Sequence, residues 1–90
     1  MEGKFQIQEK VREFILKTSY ASDDHLNNET LIFAQGIMDS MGFISIISFI
    51  EEDFLITASD NELLESNFES INAISDFVFR KLQVASNQLA

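Results

Sequence analysis

The sequence predicts an all-α fold: a small four-helix bundle of three long helices and one short one, with a long first loop. Three observations carry this. Apolar residues recur at helical spacing in three separate stretches, and no stretch alternates with the period of two that marks a strand. The turn-prone polar residues gather in one segment between the first two stretches, as expected of helices packed around a single core. The chain has 90 residues, a length that suits one domain spanning 1–90, with its core over about 4–83 and a frayed tail over 84–90. Such a chain buries about 60 to 65% of the surface it exposes when unfolded.

The first helix is expected over Lys4 to about Thr18. Ile7, Val11, Phe14, Ile15 and Thr18 share one face, Glu9, Lys10, Glu13 and Lys17 lie elsewhere, and Phe5 and Leu16 flank the stripe. Glu13 and Lys17 have the favourable i, i+4 order for a weak stabilising pair.

Ser19 to Gly36 reads as a loop, because the side chains of Ser22, Asp23, Asp24, Asn27 and Asn28 compete for backbone hydrogen bonds. So long a connection in a small domain is usually functional or pinned by buried residues. Leu26, Leu31, Ile32 and Phe33 are the candidate pins, and Gly36 supplies a permissive turn.

The second helix is the most apolar. Phe43, Ile46, Ile47, Ile50 and Phe54 form its core stripe at i, i+3, i+4, i+7 and i+11. Met41, Ile44, Ser45, Ser48, Glu51 and Glu52 lie opposite, where no core contact claims them, and read as a docking face. Asp39 is the expected N-cap, its carboxylate accepting from backbone N–H groups, which leaves Ser40 on the first turn with a free hydroxyl. Gly42 inside this helix costs about 1 kcal/mol relative to Ala, which points to a close approach or local looseness beside Ser40.

Ser59 and Glu62 fit a capping box, predicting a short third helix over Asp60 to Glu65. Asn67 or Ser70 caps the last helix, where Ile71, Ile74, Val78 and Leu82 align, flanked by Phe77. Arg80 and Lys81 are expected near its C-terminal end, where the dipole favours positive charge.

Gly36, two apolar residues, Asp39-Ser40, the apolar Met41, an apolar helix, the Glu51-Glu52 pair and then Phe54 follow one another in an order that resembles acyl and peptidyl carrier proteins. The segment Asn67 to Val78, NFESINAISDFV, is similar to the end of stand-alone carrier domains. The resemblance implies that Ser40 is esterified by 4′-phosphopantetheine, donated by coenzyme A through a phosphopantetheinyl transferase, with Asp39 and Met41 flanking the attachment. It further implies that the arm's thiol carries acyl or aminoacyl groups between biosynthetic enzymes, of fatty-acid, polyketide, nonribosomal-peptide or D-alanyl transfer type. A loading ligase and acyl-processing enzymes are then the partners, and they meet the helix that carries Met41, Ile44, Ser45, Ser48, Glu51 and Glu52. In the family the long first loop packs an apolar residue beneath the second helix, and Leu31 is the candidate here. Fatty-acid carriers usually place acidic residues where this chain has Gly42, Phe43, Ser45 and Ser48, so a specialised aminoacyl, D-alanyl or polyketide carrier stands beside them.

The charge of −9, fifteen Asp and Glu against six Lys and Arg, repels phosphate backbones and anionic lipid heads and favours basic protein patches. Nucleic acid is therefore not an expected partner. The run from Phe43 to Ile50 is far short of a membrane span, and MEGKFQIQEK lacks the continuous apolar stretch of a signal peptide. A cytoplasmic monomer without stable membrane insertion is the expectation. There is no Cys, so neither a disulfide nor a thiolate metal site is available, and a reactive thiol has to be imported.

The chemical rivals are short of parts. A hydrolase nucleophile elbow needs Gly on both sides of the serine, two residues away, and here Met38 takes one place and Gly42 the other. His25 is the one histidine, in the polar loop. Asp23, Asp24 and Glu29 lack the ordered spacing of a calcium loop. No catalytic residue and no metal is expected. The alternative from another class is an acidic helical interaction module without a prosthetic group.

Overall fold

The computed structural model describes residues 3–19 and 21–89, with side chains described as far as Val84. The chain is all-helical: α1 is Lys4–Thr18, α2 is Ser40–Phe54, α3 is Glu65–Phe68 and α4 is Ile71–Leu89. The two additional 3-10 turns are Asp23–His25 and Asp60–Glu62. Among the described residues there is no strand, and no helix is long and apolar enough to cross a membrane. The tail expected to fray from 84 on falls mostly outside the described side chains, although the α4 backbone is helical to Leu89.

Each long helix exists because it can bury a stripe. On α1 the buried residues are Ile7, Val11 and Ile15, at strict i, i+4 spacing, while Phe14 is half-buried. Thr18, expected on that stripe, is exposed, and its hydroxyl donates to the Phe14 carbonyl at 2.8 Å. Ile46, Ile50 and Phe54 supply the α2 stripe, with Phe43 and Ile47 half-buried beside it. Ile71, Ile74, Phe77 and Val78 do the same for α4. Helix direction follows from the cross-contacts. Lys4 pairs with Asp76, and Gln8 Nε2 donates to Asn72 Oδ1 at 3.0 Å, so α4 runs antiparallel to α1. Phe14 stacks on Phe49 at 4.3 Å between centroids and Lys10 lies over Phe54, so α2 is antiparallel to α1 as well. The start of α2 therefore lies at the end of the bundle where α1 stops.

The first loop is pinned by two of the four candidates, Leu26 and Ile32, and not by Leu31, the residue expected beneath the second helix. Leu31 is 43% exposed, whereas Leu26 and Ile32 are buried in the core. Ile32 takes the place because both its backbone groups are held: its N–H donates to the Glu69 carbonyl at 2.9 Å, and its own carbonyl accepts from Met38 N–H at 3.0 Å. Upstream, the guanidinium of Arg12 reaches Asp23 Oδ1 at 3.3 Å, Asn28 Oδ1 at 2.8 Å and the Leu26 carbonyl. The Asn28 carbonyl in turn accepts from Asn72 N–H of α4 at 2.9 Å.

The third helix also differs from expectation. The Ser59 and Glu62 capping box forms, but it opens only the 3-10 turn. Leu63 then leaves the helical region at φ −80° and ψ 60° and packs on the core, so the helical turn falls later, at Glu65–Phe68. Glu62 has its carboxyl lowered to about 2 by the Ser59 backbone N–H, the Lys81 ammonium and the Ser59 hydroxyl. Lys81 is occupied by that pair, 2.9 Å from Glu62, and Arg80 Nε donates to the Asp76 carbonyl at 3.3 Å. Both lie about two turns before the end of α4, beyond the reach of the dipole effect invoked for them. Of the two candidate caps, Ser70 is used, its hydroxyl accepting from Ala73 N–H at 3.1 Å.

Candidate functional site

The chain reaches α2 through Gly36, whose φ of 75° is the left-handed turn that glycine tolerates without strain. Met38 follows, buried, and Asp39 turns the backbone into the helix. Its carboxylate accepts from Met41 N–H at 3.0 Å and Gly42 N–H at 3.1 Å, while its carbonyl takes Phe43 N–H at 3.0 Å. This is the cap expected, and it fixes the first turn. Ser40 is the first helical residue. Its side chain is exposed, and no hydrogen bond engages its hydroxyl among the described residues. The same geometry removes one expected attraction. The amides of Met41 and Gly42 are satisfied by Asp39, so they offer no vacant cradle for an anion at Ser40.

Gly42 is required by contact. A Cβ built on it would lie 2.9 Å from Met38 Cβ and 3.4 Å from Met38 Cγ and Cε. Met38 is buried and its Cβ is fixed to the backbone, so the chain before Ser40 would have to move. Gly42→Ala is therefore expected to destabilise the chain by about 1 to 2 kcal/mol, even though Ala is favoured over Gly by about 1 kcal/mol inside a helix. A urea melt of the variant checks the sign, and a stabilised protein would show that the contact is unimportant.

Two hollows meet at Met38 and Asp39, and the first has Ser40 in its wall. One, of about 360 Å³, is lined by Phe33, Met38, Asp39, Ser40, Phe43 and Glu65. The other, of about 410 Å³, lies between the end of α1 and the start of α2, with Thr18, Ser19, Ile37, Asp39, Met41 and Ser45 in its wall. The first is built on aromatic contacts that run into the core: Phe33 to Phe43 at 5.7 Å, Phe43 to Phe68 at 5.4 Å, and Phe68 to Phe77 at 5.2 Å.

The expected docking residues are mostly displayed together. Met41 is 68% and Ile44 57% exposed, and Ser45, Ser48 and Glu52 are exposed with them. Ser45 Oγ donates to the Met41 carbonyl at 3.0 Å. Glu51 is differently engaged. It is half-buried, and its carboxylate accepts from Ala58 N–H at 3.0 Å, holding the segment after α2. Ile44, Ser45, Ser48 and Glu52 share a shallow hollow of about 330 Å³ with Phe14, Thr18, Phe49 and Asp53. The stacked Phe14 and Phe49 thus extend the face onto α1, which reading α2 alone did not include.

His25 is exposed in its 3-10 turn with Nδ1 2.7 Å from Ser22 Oγ, and it lines neither hollow beside Ser40. Among the described residues no group of three or more His, Asp or Glu side chains is placed to hold a metal ion. No protein-family model matches the chain, and a search of curated proteins found no significant match.

Proposed function

We propose that this chain is a non-catalytic carrier: a separate transferase moves 4′-phosphopantetheine from coenzyme A to Ser40, the Oγ–P bond forming as the pyrophosphate bond breaks, with the hydroxyl proton lost and adenosine 3′,5′-bisphosphate released. The observation that supports this most is the Ser40 hydroxyl itself. It is exposed, without a partner among the described residues, held at the start of a capped 15-residue helix and in the wall of the 360 Å³ hollow. The residues present fit the group, because an ester on an exposed oxygen displaces nothing from the core. Asp39 already fills the amides of Met41 and Gly42, so this chain holds the arm chiefly by its covalent bond. The attached group supplies a thiol that carries acyl or aminoacyl cargo as a thioester, on a chain that has no Cys of its own.

The protein's contribution is position and recognition. Asp39 and Gly42 set where Ser40 stands, while Met41 and Ile44 offer apolar contact beside it, with Glu52 at the rim. An apolar centre with a charged edge suits brief encounters with loading and processing enzymes, and the tether raises the cargo's effective concentration at each of them. Because the unmodified chain has no thiol, incubation with coenzyme A and a broad-specificity phosphopantetheinyl transferase, followed by removal of small molecules, is expected to leave one titratable thiol per chain. Ser40→Ala is expected to leave none. A wild-type chain without a thiol would favour the acidic interaction module instead.

A further inference from the structure

The charge around Ser40 is one-sided. The two ionisable side chains lining the 360 Å³ hollow are the carboxylates of Asp39 and Glu65, and Asp39 alone lines the other. None of the six Lys and Arg residues lines either hollow. They stand on α1 and α4, where Lys4 pairs with Asp76, Arg12 with Asp23, Lys17 with Glu13 and Lys81 with Glu62. Lys10 lies over Phe54 and Arg80 over Phe77. The remaining wall is apolar, formed by Phe33, Phe43 and Met38.

We infer that the cargo is an aminoacyl group, whose protonated amine folds back into the hollow between the Phe33 and Phe43 rings and the carboxylates of Asp39 and Glu65. This rests on Ser40 being the attachment site. Charge complementarity selects that occupant over the other two cargo classes. A carboxylated acyl group meets two like charges. An uncharged acyl group satisfies the rings but covers the Glu65 carboxylate without giving it a partner, which is unfavourable. An ammonium answers both features, since it pairs with carboxylates and is attracted to ring faces. The phosphodiester formed at Ser40 adds charge of the same sign. The volume lies in the range of small-ligand sites, about 300 to 1,000 Å³. Tethering makes a weak contact sufficient: at an effective concentration near 1 mM, a contact with a Kd of about 1 mM is half occupied.

The test compares alanyl, propionyl and succinyl groups, each transferred to Ser40 with its arm from the corresponding coenzyme A thioester, with intact mass confirming the loading. Amide and ring NMR signals of Phe33, Phe43 and Glu65 report docking. Alanyl is expected to move them most, with an effect that shrinks as salt is raised, propionyl less, and succinyl least. In Glu65→Gln, an exposed substitution whose folding a thermal melt verifies, alanyl docking is expected to fall about threefold. Propionyl or succinyl shifts equal to those of alanyl, or an unchanged Glu65→Gln response, would overturn the inference while leaving the carrier reading intact. A chain that accepts no arm on Ser40 would remove both.

Discussion

Phe68→Ala is expected to lower stability by about 3 to 5 kcal/mol, the cost of emptying a fully buried aromatic site. Phe68 has 0% exposure and sits on the four-residue α3, a helix far too short to persist by its own hydrogen bonds. Its ring fixes α3 by lying edge-on to Phe43 of α2 and tilted against Phe77 of α4. Truncation leaves a cavity where three elements meet, and α3 has no other buried residue to hold it. At roughly 0.05 to 0.15 kcal/mol per residue, a chain of this length has only about 5 to 14 kcal/mol of total stability. The variant therefore loses a large part of it. A urea titration followed by circular dichroism measures the loss, and a cost below about 1 kcal/mol would mean that the site collapses without a cavity. The Ser40 site should be disturbed too, since Phe43 lines the hollow and rests on Phe68.

Arg12→Ala is expected to cost about 2 to 3 kcal/mol and to loosen the first loop selectively. The guanidinium serves three acceptors from its half-buried position on α1: Asp23, Asn28 and the carbonyl of buried Leu26. The exposed ion pair with Asp23 contributes little by itself. The larger share comes from the Leu26 carbonyl and the Asn28 side chain, which lose a charged donor. Arg12→Lys should recover only part of the loss, because an ammonium is a point donor and cannot span the three acceptors as a planar fork does. Hydrogen exchange should show faster opening at Thr30 and Ile32 than at Ile50, in the core of α2. Equal acceleration at both sites, or full rescue by Lys, would contradict the pinning role.

These two residues mark where sequence reasoning stopped. The α1 stripe was legible because Ile7, Val11 and Ile15 repeat at the helical period and are all buried. The start of α2 was legible because a capping Asp before an apolar periodic stretch is a local signal, and the Asp39 hydrogen bonds are local ones. A loop has no period, so nothing in the order Leu31-Ile32-Phe33 distinguishes the pin from its neighbours. Ile32 is selected by a backbone bond to Glu69, thirty-seven positions further along the chain. Nothing in the sequence marks Arg12 for the same reason, since its acceptors are supplied by a loop whose path is set elsewhere. The third helix was misplaced because the Ser59 and Glu62 box is a strong local signal, while the packing of half-buried Leu63 and the burial of Phe68, which end one turn and begin another, are tertiary. Phe33 and Glu65 meet beside Ser40 through the same long-range packing, and no spacing in the sequence announces it.

The central claim is that the Ser40 hydroxyl accepts a prosthetic arm, and intact mass spectrometry tests it most directly. After incubation with coenzyme A and a broad-specificity phosphopantetheinyl transferase, the wild-type chain should gain the mass of one phosphopantetheine, and Ser40→Ala should gain nothing. An unchanged wild-type mass, or an adduct that persists in Ser40→Ala, would contradict it.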